Sequence, residues 1–168
     1  IITLPNGTEH QKPTAWKETH YDANVYGTQL IGSMLGEKRF SFPKSVYSVL
    51  DALNIFLEDK KDGLIVDFFA GSGTTLHATN LLNKKDNGNR RCIMVTNNEV
   101  SEKEAEELSK KGLKPGDSEW EKYGIAEYVT WPRTVCSIKG TTLKGTSIKG
   151  NSNVTREEFV NEKAVNII

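Results

Sequence analysis

The stretch LIVDFFAGSGTTLHATNLL, residues 64–82, decides the fold that this sequence predicts. Its first six residues form a short apolar run with a β-branched centre, which is typical of a parallel strand covered on both faces. The residues GSGTTLHATNLLNKK that come next predict a turn and then a helix. Ligands of open α/β sheets bind outside the carboxyl ends of the strands, so residues 67–75 are the first candidate for a site.

Upstream of this stretch, the chain changes from an irregular segment to a clear helix. Residues 1–27 contain scattered prolines and aromatic residues without a sustained period, which predicts an irregular arm. Apolar residues then recur at three- and four-residue steps from Val46 to Leu57, which predicts one face of a helix. Pro43 suits the first turn of that helix, and Gly63 suits its end.

Downstream, strand and helix patterns alternate. RRCIMVTNNE, residues 90–99, predicts a second buried strand. SEKEAEELSKKG, residues 101–112, predicts a helix because Ser101 and Glu104 have capping-box spacing. GDSEWEKYG predicts a short helix, and IAEYVTWPRTVCSI, residues 125–138, predicts a third strand. The alternating order predicts an α/β sheet.

Length, charge and cysteine content limit the class of protein. The 168 residues fit one domain, and 22 basic residues balance 22 acidic ones, so the chain lacks the basic excess typical of a nucleic-acid binder. Cys92 and Cys136 stand far apart without metal-ligand spacing, which predicts two reduced thiols and no metal site. No apolar run approaches the roughly 20 residues of a membrane span. We therefore expect a cytoplasmic protein without membrane contact.

The two glycines of the turn restrict the choice of ligand. Gly71 and Gly73 let the backbone turn tightly and let a ligand approach it, and the helix start behind them offers N–H donors to a carboxylate or phosphate. An ATP-binding loop needs a lysine after its last glycine, but Thr74 follows Gly73. A dinucleotide fingerprint needs a third glycine at position 76, which is Leu76, so NAD is the weaker candidate.

Acidic residues after the two strands favour a cationic nucleoside. Asp67 is an ionisable side chain at the end of an apolar strand, which is costly unless it has a partner. Glu99 closes the second strand, where a carboxylate can accept hydrogen bonds from both ribose hydroxyls, and Asn97 and Asn98 offer part of the same contact. S-adenosylmethionine carries an amino group, a sulfonium, a carboxylate and a ribose, and so matches this site. Alternatively, Glu99 only begins the acidic first turn of the next helix.

The motifs of this chain resemble a known family. VDFFAGSGTT, residues 66–75, resembles motif I of amino-methylating DNA methyltransferases, and residues 26–50 are similar to the motif X region that precedes motif I in β-class adenine-N6 enzymes. That class includes the modification subunits of type III restriction systems, and RRCIMVTNNE and GIAEYVTWPRT resemble its later strands. The resemblance covers roughly residues 13–140. It implies an α/β, Rossmann-like sheet of S-adenosylmethionine-dependent methyltransferases, here incomplete.

The resemblance divides the chain and assigns a cofactor site. It implies an arm at residues 1–27, a cofactor-binding region at 28–140, and a loop or hairpin with a tail at 141–168. Phe69 then lies against the cofactor or is an ordinary core side chain, and Lys44 faces the methionine carboxylate or is a solvated surface residue. The residues implied in cofactor binding are Asp67, Phe68, Phe69, Ala70, Gly71, Ser72, Gly73, Thr74, Thr75, Asn97, Asn98, Glu99, Lys44, Ser45 and, more weakly, Thr28.

The catalytic loop of that family is absent from this sequence. The family holds the amine of a flipped adenine with an Asp/Asn-Pro-Pro-aromatic motif, but the prolines here stand at 5, 13, 43, 115 and 132, and no two adjoin. In the β arrangement that motif lies N-terminal to motif X, which agrees with a chain that starts without Met. The resemblance therefore implies the C-terminal, cofactor-binding part of a DNA adenine methyltransferase. We expect it to be inactive alone, and the intact protein to act on double-stranded DNA with a restriction subunit or as a homodimer.

Two other functions stay open at this point. An NAD-linked oxidoreductase would bind NADH in preference to S-adenosylmethionine. A degenerate methyltransferase-like subunit would pair with a separate catalytic or restriction chain. An Asp-Pro-Pro-Tyr-like motif upstream in the same reading frame would instead show that the chain is a fragment of a complete methyltransferase.

Overall fold

The computed structural model describes residues 16–148 and, for the backbone alone, strand residues 2–3 and 9–10. Ile2–Thr3 (β1) and Glu9–His10 (β2) pair as antiparallel strands. Within residues 1–27, the range predicted as an irregular arm, a 3-10 turn covers Thr19–Tyr21. A π-helical segment, Asn24–Gln29, begins in this range and continues beyond it into the helix Leu30–Leu35 (α1).

The predicted helix between Pro43 and Gly63 is confirmed as Val46–Leu57 (α2). Ser45 is its N-cap, and the Ser45 hydroxyl accepts a hydrogen bond from the Tyr47 backbone N–H at 3.3 Å. This bond satisfies one of the backbone donors that a helix start leaves without an intrahelical partner.

Two predicted strands pair in parallel and form the sheet. They are Leu64–Asp67 (β3) and Arg91–Met94 (β4), with Asp67 opposite Met94. The predicted crossover helix between them is confirmed as Thr74–Asp86 (α3). The next predicted helix is confirmed as Glu102–Lys110 (α4), and the Ser101 hydroxyl accepts a hydrogen bond from the Glu104 backbone N–H at 3.4 Å. This order establishes a mixed α/β architecture, while the full Rossmann-like strand order stays a prediction.

The third predicted strand is wrong, because residues 125–138 are helical. After the short helix Ser118–Glu121 (α5), a π-helical segment covers Ala126–Thr130 and continues into Trp131–Lys139 (α6), with Pro132 in its first turn. The buried side chains of α6 are largely polar or charged, so apolar periodicity could not reveal the helix. They are Arg133, Thr134, Cys136, Ser137 and Ile138.

The hydrophobic core lies between the helices. Helix α6 contacts both α1 and α3, and α2 packs along α3. A hairpin follows α6, where Thr141 and Ser147 form an antiparallel bridge. The buried apolar side chains of the core are Leu30, Ile31, Met34, Leu35, Val46, Leu50, Ala78, Leu81, Val129, Cys136 and Ile148.

The expectation that the strands are covered on both faces is wrong for the described residues. Alternate strand side chains point to a face that no described element covers: Leu64 is 52% exposed, Val66 44% and Ile93 50%. Successive strand residues point to opposite faces, so this row forms one continuous apolar surface. No helix within residues 16–148 is both long and apolar enough to cross a membrane.

Candidate cofactor-binding site

The loops that follow β3 and β4 meet at the carboxyl end of the sheet. The Val95 N–H donates to the Asp67 carbonyl at 2.8 Å, and the Ala70 N–H donates to the Val95 carbonyl at 3.1 Å. A cavity of about 210 Å³ opens between the two loops. Its lining residues are Phe68, Phe69, Gly71, Val95, Thr96, Asn97, Glu99 and Ile125.

Glu99 lies between this cavity and a larger one. The second cavity, of about 450 Å³, is also lined by Glu99 and Ile125, together with Phe40 and Tyr128. The Arg39 guanidinium lies 4.1 Å from the centroid of the Tyr128 ring, within the range of a cation–π contact. The Glu99 side chain is exposed, so its carboxylate is accessible where the two cavities meet.

Asp67 joins the end of β3 to the first turn of α3. Its Oδ1 accepts a hydrogen bond from the Phe69 N–H at 3.0 Å, and its Oδ2 accepts one from the Thr75 hydroxyl at 2.6 Å. These two protein donors supply the partner that the sequence argument assigned to a ligand. The two bonds orient the carboxylate at the floor of the turn.

Both glycines of the turn have backbone conformations that favour glycine. Gly71 has φ +51° and Gly73 has φ +76°, in the left-handed region that costs other residues energy. A Cβ at Gly73 would also lie 3.2 Å from the Thr130 Cγ2. On the other side, the Phe40 ring would lie 3.5 Å from a Cβ at Gly71, so Phe40 belongs to the candidate site although no sequence pattern indicated it.

The polar residues of the turn point into the protein. Ser72 is 3% exposed and Thr74 is 7% exposed. The Arg133 Nη1 donates to the Ser72 carbonyl at 3.2 Å, to the Ser72 hydroxyl at 2.9 Å and to the Thr74 hydroxyl at 2.7 Å. The Thr130 hydroxyl donates to the Gly71 carbonyl at 2.6 Å. The helical segment 126–139, part of which was wrongly predicted as a strand, therefore holds the turn in place through Thr130 and Arg133.

Burial changes the acidity of Arg133. Its side chain is fully enclosed, and desolvation lowers the pKa of Arg133 from its ordinary value to about 9. At neutral pH the guanidinium still carries its charge. Sequence reasoning missed both Arg133 and Thr130, because they lie in the segment that was predicted as a strand.

Asn98 fastens the second loop to the C-terminal segments. Its Nδ2 donates to the Glu121 carbonyl at 2.8 Å and to the Glu121 Oε2 at 3.0 Å, and its Oδ1 accepts from the Ala126 N–H at 3.1 Å. The Ile125 N–H donates to the Glu99 carbonyl at 2.9 Å. Asn98 thus fixes the position of Glu99, whereas the exposed Asn97 lines the cavity.

The three candidates from the motif X region do not line the cavity beside the turn. Ser45 is buried, and its hydroxyl donates to the His20 carbonyl at 2.8 Å while it caps α2. Lys44 is exposed, and Thr28 is half-buried within the π-helical segment. Their assignment to the cofactor stays a prediction.

Comparison with known proteins identifies the family. A family model described as DNA methylase matches residues 5–108, and this chain belongs to that family. The chain is 42% identical over 94 residues to the EcoPI Mod subunit of a type III restriction-modification enzyme from Escherichia phage P1, a match that covers 55% of this chain and 14% of that protein. The resemblance inferred from the motifs is confirmed.

Two further relatives agree with this family. The chain is 38% identical over 101 residues to the type II methyltransferase M.KpnI of Klebsiella pneumoniae, covering 58% of this chain and 24% of that protein. It is 28% identical over 135 residues to the StyLTI Mod subunit of a type III restriction-modification enzyme from Salmonella typhimurium, a match that covers 56% of this chain and 20% of that protein. The chain therefore spans between 14% and 24% of the length of these curated relatives.

Proposed function

We propose that this chain binds S-adenosylmethionine where β3 and β4 end, and that it is the cofactor-binding portion of a site-specific DNA adenine-N6 methyltransferase. The observation that carries the proposal is the cavity between the two loops, which brings Gly71 of motif I and Glu99 together. Membership of the DNA methylase family supports the choice of cofactor.

The groups around the cavity fit the parts of this cofactor. Glu99 offers an exposed carboxylate, which can accept hydrogen bonds from the two ribose hydroxyls. Phe69 is 92% exposed, and its ring face favours a cation such as a sulfonium. The two cavities share Glu99, so a ligand with a ribose at its centre can extend into both.

The turn supplies the remaining contacts. The N-terminus of α3 has backbone N–H groups without intrahelical partners and the positive end of the helix dipole, which favour a carboxylate. Bound S-adenosylmethionine supplies the methyl group for transfer. The role of this chain is to hold the methionine and ribose groups in place, through the turn and Glu99 respectively.

We propose that transfer to adenine requires a part of the intact protein that supplies the proline-containing catalytic loop. The sequence has no two adjacent prolines, so it lacks that motif. The chain alone then binds the cofactor without methylating DNA. The intact protein acts on double-stranded DNA, in company with a restriction subunit or a second copy.

Isothermal titration calorimetry with S-adenosylmethionine tests the cofactor assignment. We expect binding by the unchanged chain, and binding at least about tenfold weaker for Glu99→Gln, because hydrogen bonds to a charged group are stronger than those to an amide. Glu58→Gln is the matched control, since Glu58 is also exposed but follows α2. NADH and ATP are the competing ligands. Tighter binding of NADH, or equal effects of the two substitutions, would contradict the assignment.

A further inference from the structure

Two buried arginines contact opposite ends of α3, and their partners differ. Arg90, at the C-terminal end, donates to both carboxylate oxygens of Asp86 at 2.8 Å. Arg133, at the N-terminal end, donates to Ser72 and Thr74, and its Nη2 lies 3.4 Å from the His77 Nδ1. No carboxylate hydrogen-bonds to Arg133 among residues 16–148, so all its described partners are formally neutral acceptors.

The environment of Arg133 opposes a positive charge. The residue is 0% exposed, and its Nε has no hydrogen-bond partner among the described residues. A buried charge without a counter-ion is costly, and the positive end of the α3 dipole is close to it. An apolar side chain of similar volume would suit a purely structural position better.

Arg133 holds the backbone and side chains of the glycine turn in one conformation. One guanidinium nitrogen contacts the carbonyl and hydroxyl of Ser72 and the hydroxyl of Thr74, and these two residues flank Gly73. The planar guanidinium holds such acceptors in a fixed geometry, which the single ammonium of a lysine cannot reproduce. Because Arg133 is fully buried, it acts on a ligand only through the turn and through its charge.

We propose that Arg133 is a positioning residue: it fixes the Ser72–Thr74 turn, and its buried charge makes the site favour a ligand that carries a carboxylate. This inference rests on the proposed function, because it concerns the methionine end of the same cofactor site. The Arg133 charge and the α3 N-terminus both attract an anion at the turn, so the carboxylate of the methionine moiety offsets the missing counter-ion.

Hydrogen exchange without ligand tests the first half of the proposal. We compare Arg133→Lys with Arg90→Lys, which alters the other buried arginine of α3 at the far end of the helix. Exchange of the Gly73 and His77 backbone amides, which donate to the Ala70 and Gly73 carbonyls, should be about tenfold faster or more in Arg133→Lys and unchanged in Arg90→Lys. Of these two arginines, only Arg133 hydrogen-bonds to the turn. Equal exchange in the two variants would overturn the positioning role.

Calorimetry with two ligands tests the second half. S-adenosylmethionine has the carboxylate, whereas 5′-methylthioadenosine lacks the amino acid portion. Arg133→Gln, which removes the charge, should weaken S-adenosylmethionine about tenfold or more and leave 5′-methylthioadenosine within about twofold, because the lost attraction involves the carboxylate. An equal loss for both ligands would overturn the proposed preference for a carboxylate.

The two experiments separate the failure of this inference from that of the proposed function. If the unchanged chain binds neither nucleoside, the proposed function fails and the carboxylate preference fails with it, while exchange of the Gly73 and His77 amides still decides the positioning role. If Arg133→Lys does not fold, Thr74→Val replaces it in the exchange experiment, because it removes the acceptor at 2.7 Å with little change in volume. Unchanged exchange at the turn in Thr74→Val would then overturn the positioning role.

Discussion

The substitution Gly124→Ala tests how the second loop of the site is fixed. A Cβ at Gly124 would lie 2.1 Å from the Cγ of Asn98, a distance at which the Asn98 amide must move. The Asn98 side chain is short, and both its Nδ2 and its Oδ1 form hydrogen bonds, so the amide cannot move without losing these bonds. Alanine at position 124 should therefore release the loop that carries Glu99.

The structure gives the size of the effect. The Asn98 side chain makes four hydrogen bonds, of which the three shorter ones measure 2.8, 3.0 and 3.1 Å and join it to the carbonyl and carboxylate of Glu121 and to the Ala126 N–H. At about 1 kcal/mol for each of these shorter bonds, their loss lowers the free energy of unfolding by about 3 kcal/mol. For a chain of this length that corresponds to a Tm lower by roughly 6–12 °C.

Differential scanning calorimetry of four variants gives the test. Asn98→Ala removes the same hydrogen bonds, and the double variant should be only slightly less stable than either single variant, because both changes remove one set of bonds. Gly32→Ala is the control: a Cβ there meets no atom within 4 Å, so this helical position should gain about 0.5–1 kcal/mol. A Tm of Gly124→Ala unchanged within 1 °C, or costs that add in the double variant, would refute the reasoning.

Three further predictions concern other parts of the molecule. A hydrogen bond to Asp51 raises the pKa of Tyr21 to about 12, so in an ultraviolet titration Asp51→Asn should return one tyrosine toward its ordinary pKa of 10, and an unaltered titration would be contrary evidence. The hydrogen bond from Arg90 lowers the pKa of Asp86, so this pair stabilises the fold above the ordinary carboxyl pKa of 3.8 and the contribution disappears as the pH falls through the lower folded value. The Tm of Asp86→Asn should therefore lie below that of the unchanged chain at pH 7, and this difference should be smaller at pH 2, so a difference as large at pH 2 as at pH 7 would contradict the assignment. The exposed sheet face should bind the dye 1-anilinonaphthalene-8-sulfonate, and Val66→Lys should reduce its fluorescence, whereas equal fluorescence would show that the dye binds elsewhere.

Much of the fold was predictable because local signals agree with the packing. The apolar period from Val46 to Leu57 and the capping box at Ser101 each marked a helix that the structure contains. The apolar strand runs and the glycine turn between them also predicted which strand ends would meet. These signals depend only on residues close together in the chain, so they can be read directly from the sequence.

The segment 125–138 shows where that reasoning fails. Its aromatic and β-branched residues favour a strand by composition, yet Pro132 lies in the first turn of a helix whose buried face includes Arg133 and Ser137. A helix that buries polar groups shows no apolar period. Its identity depends on hydrogen bonds to acceptors such as Ser72, 61 residues away, which no local pattern can indicate.

The candidate site divides in the same way. Gly71 and Glu99 lie on one cavity, as the topology of a parallel sheet predicts. Asn98, which was predicted to contact the cofactor, instead donates a hydrogen bond from its side-chain amide to the Glu121 carbonyl. The sequence did not predict the contacts of Thr130 and Arg133 with the turn. Whether a polar side chain faces a ligand or the protein depends on tertiary contacts, so a sequence indicates where a candidate site lies better than what each side chain contacts.

The most direct test of the central claim is a map of backbone amide chemical shifts during titration with S-adenosylmethionine. We predict that shifts concentrate at residues 68–75 and 95–99, the two loops at the carboxyl ends of β3 and β4, and saturate with the ligand. Absence of shifts at saturating ligand, or shifts confined to the outer surface of α4, would contradict a cofactor site between these loops.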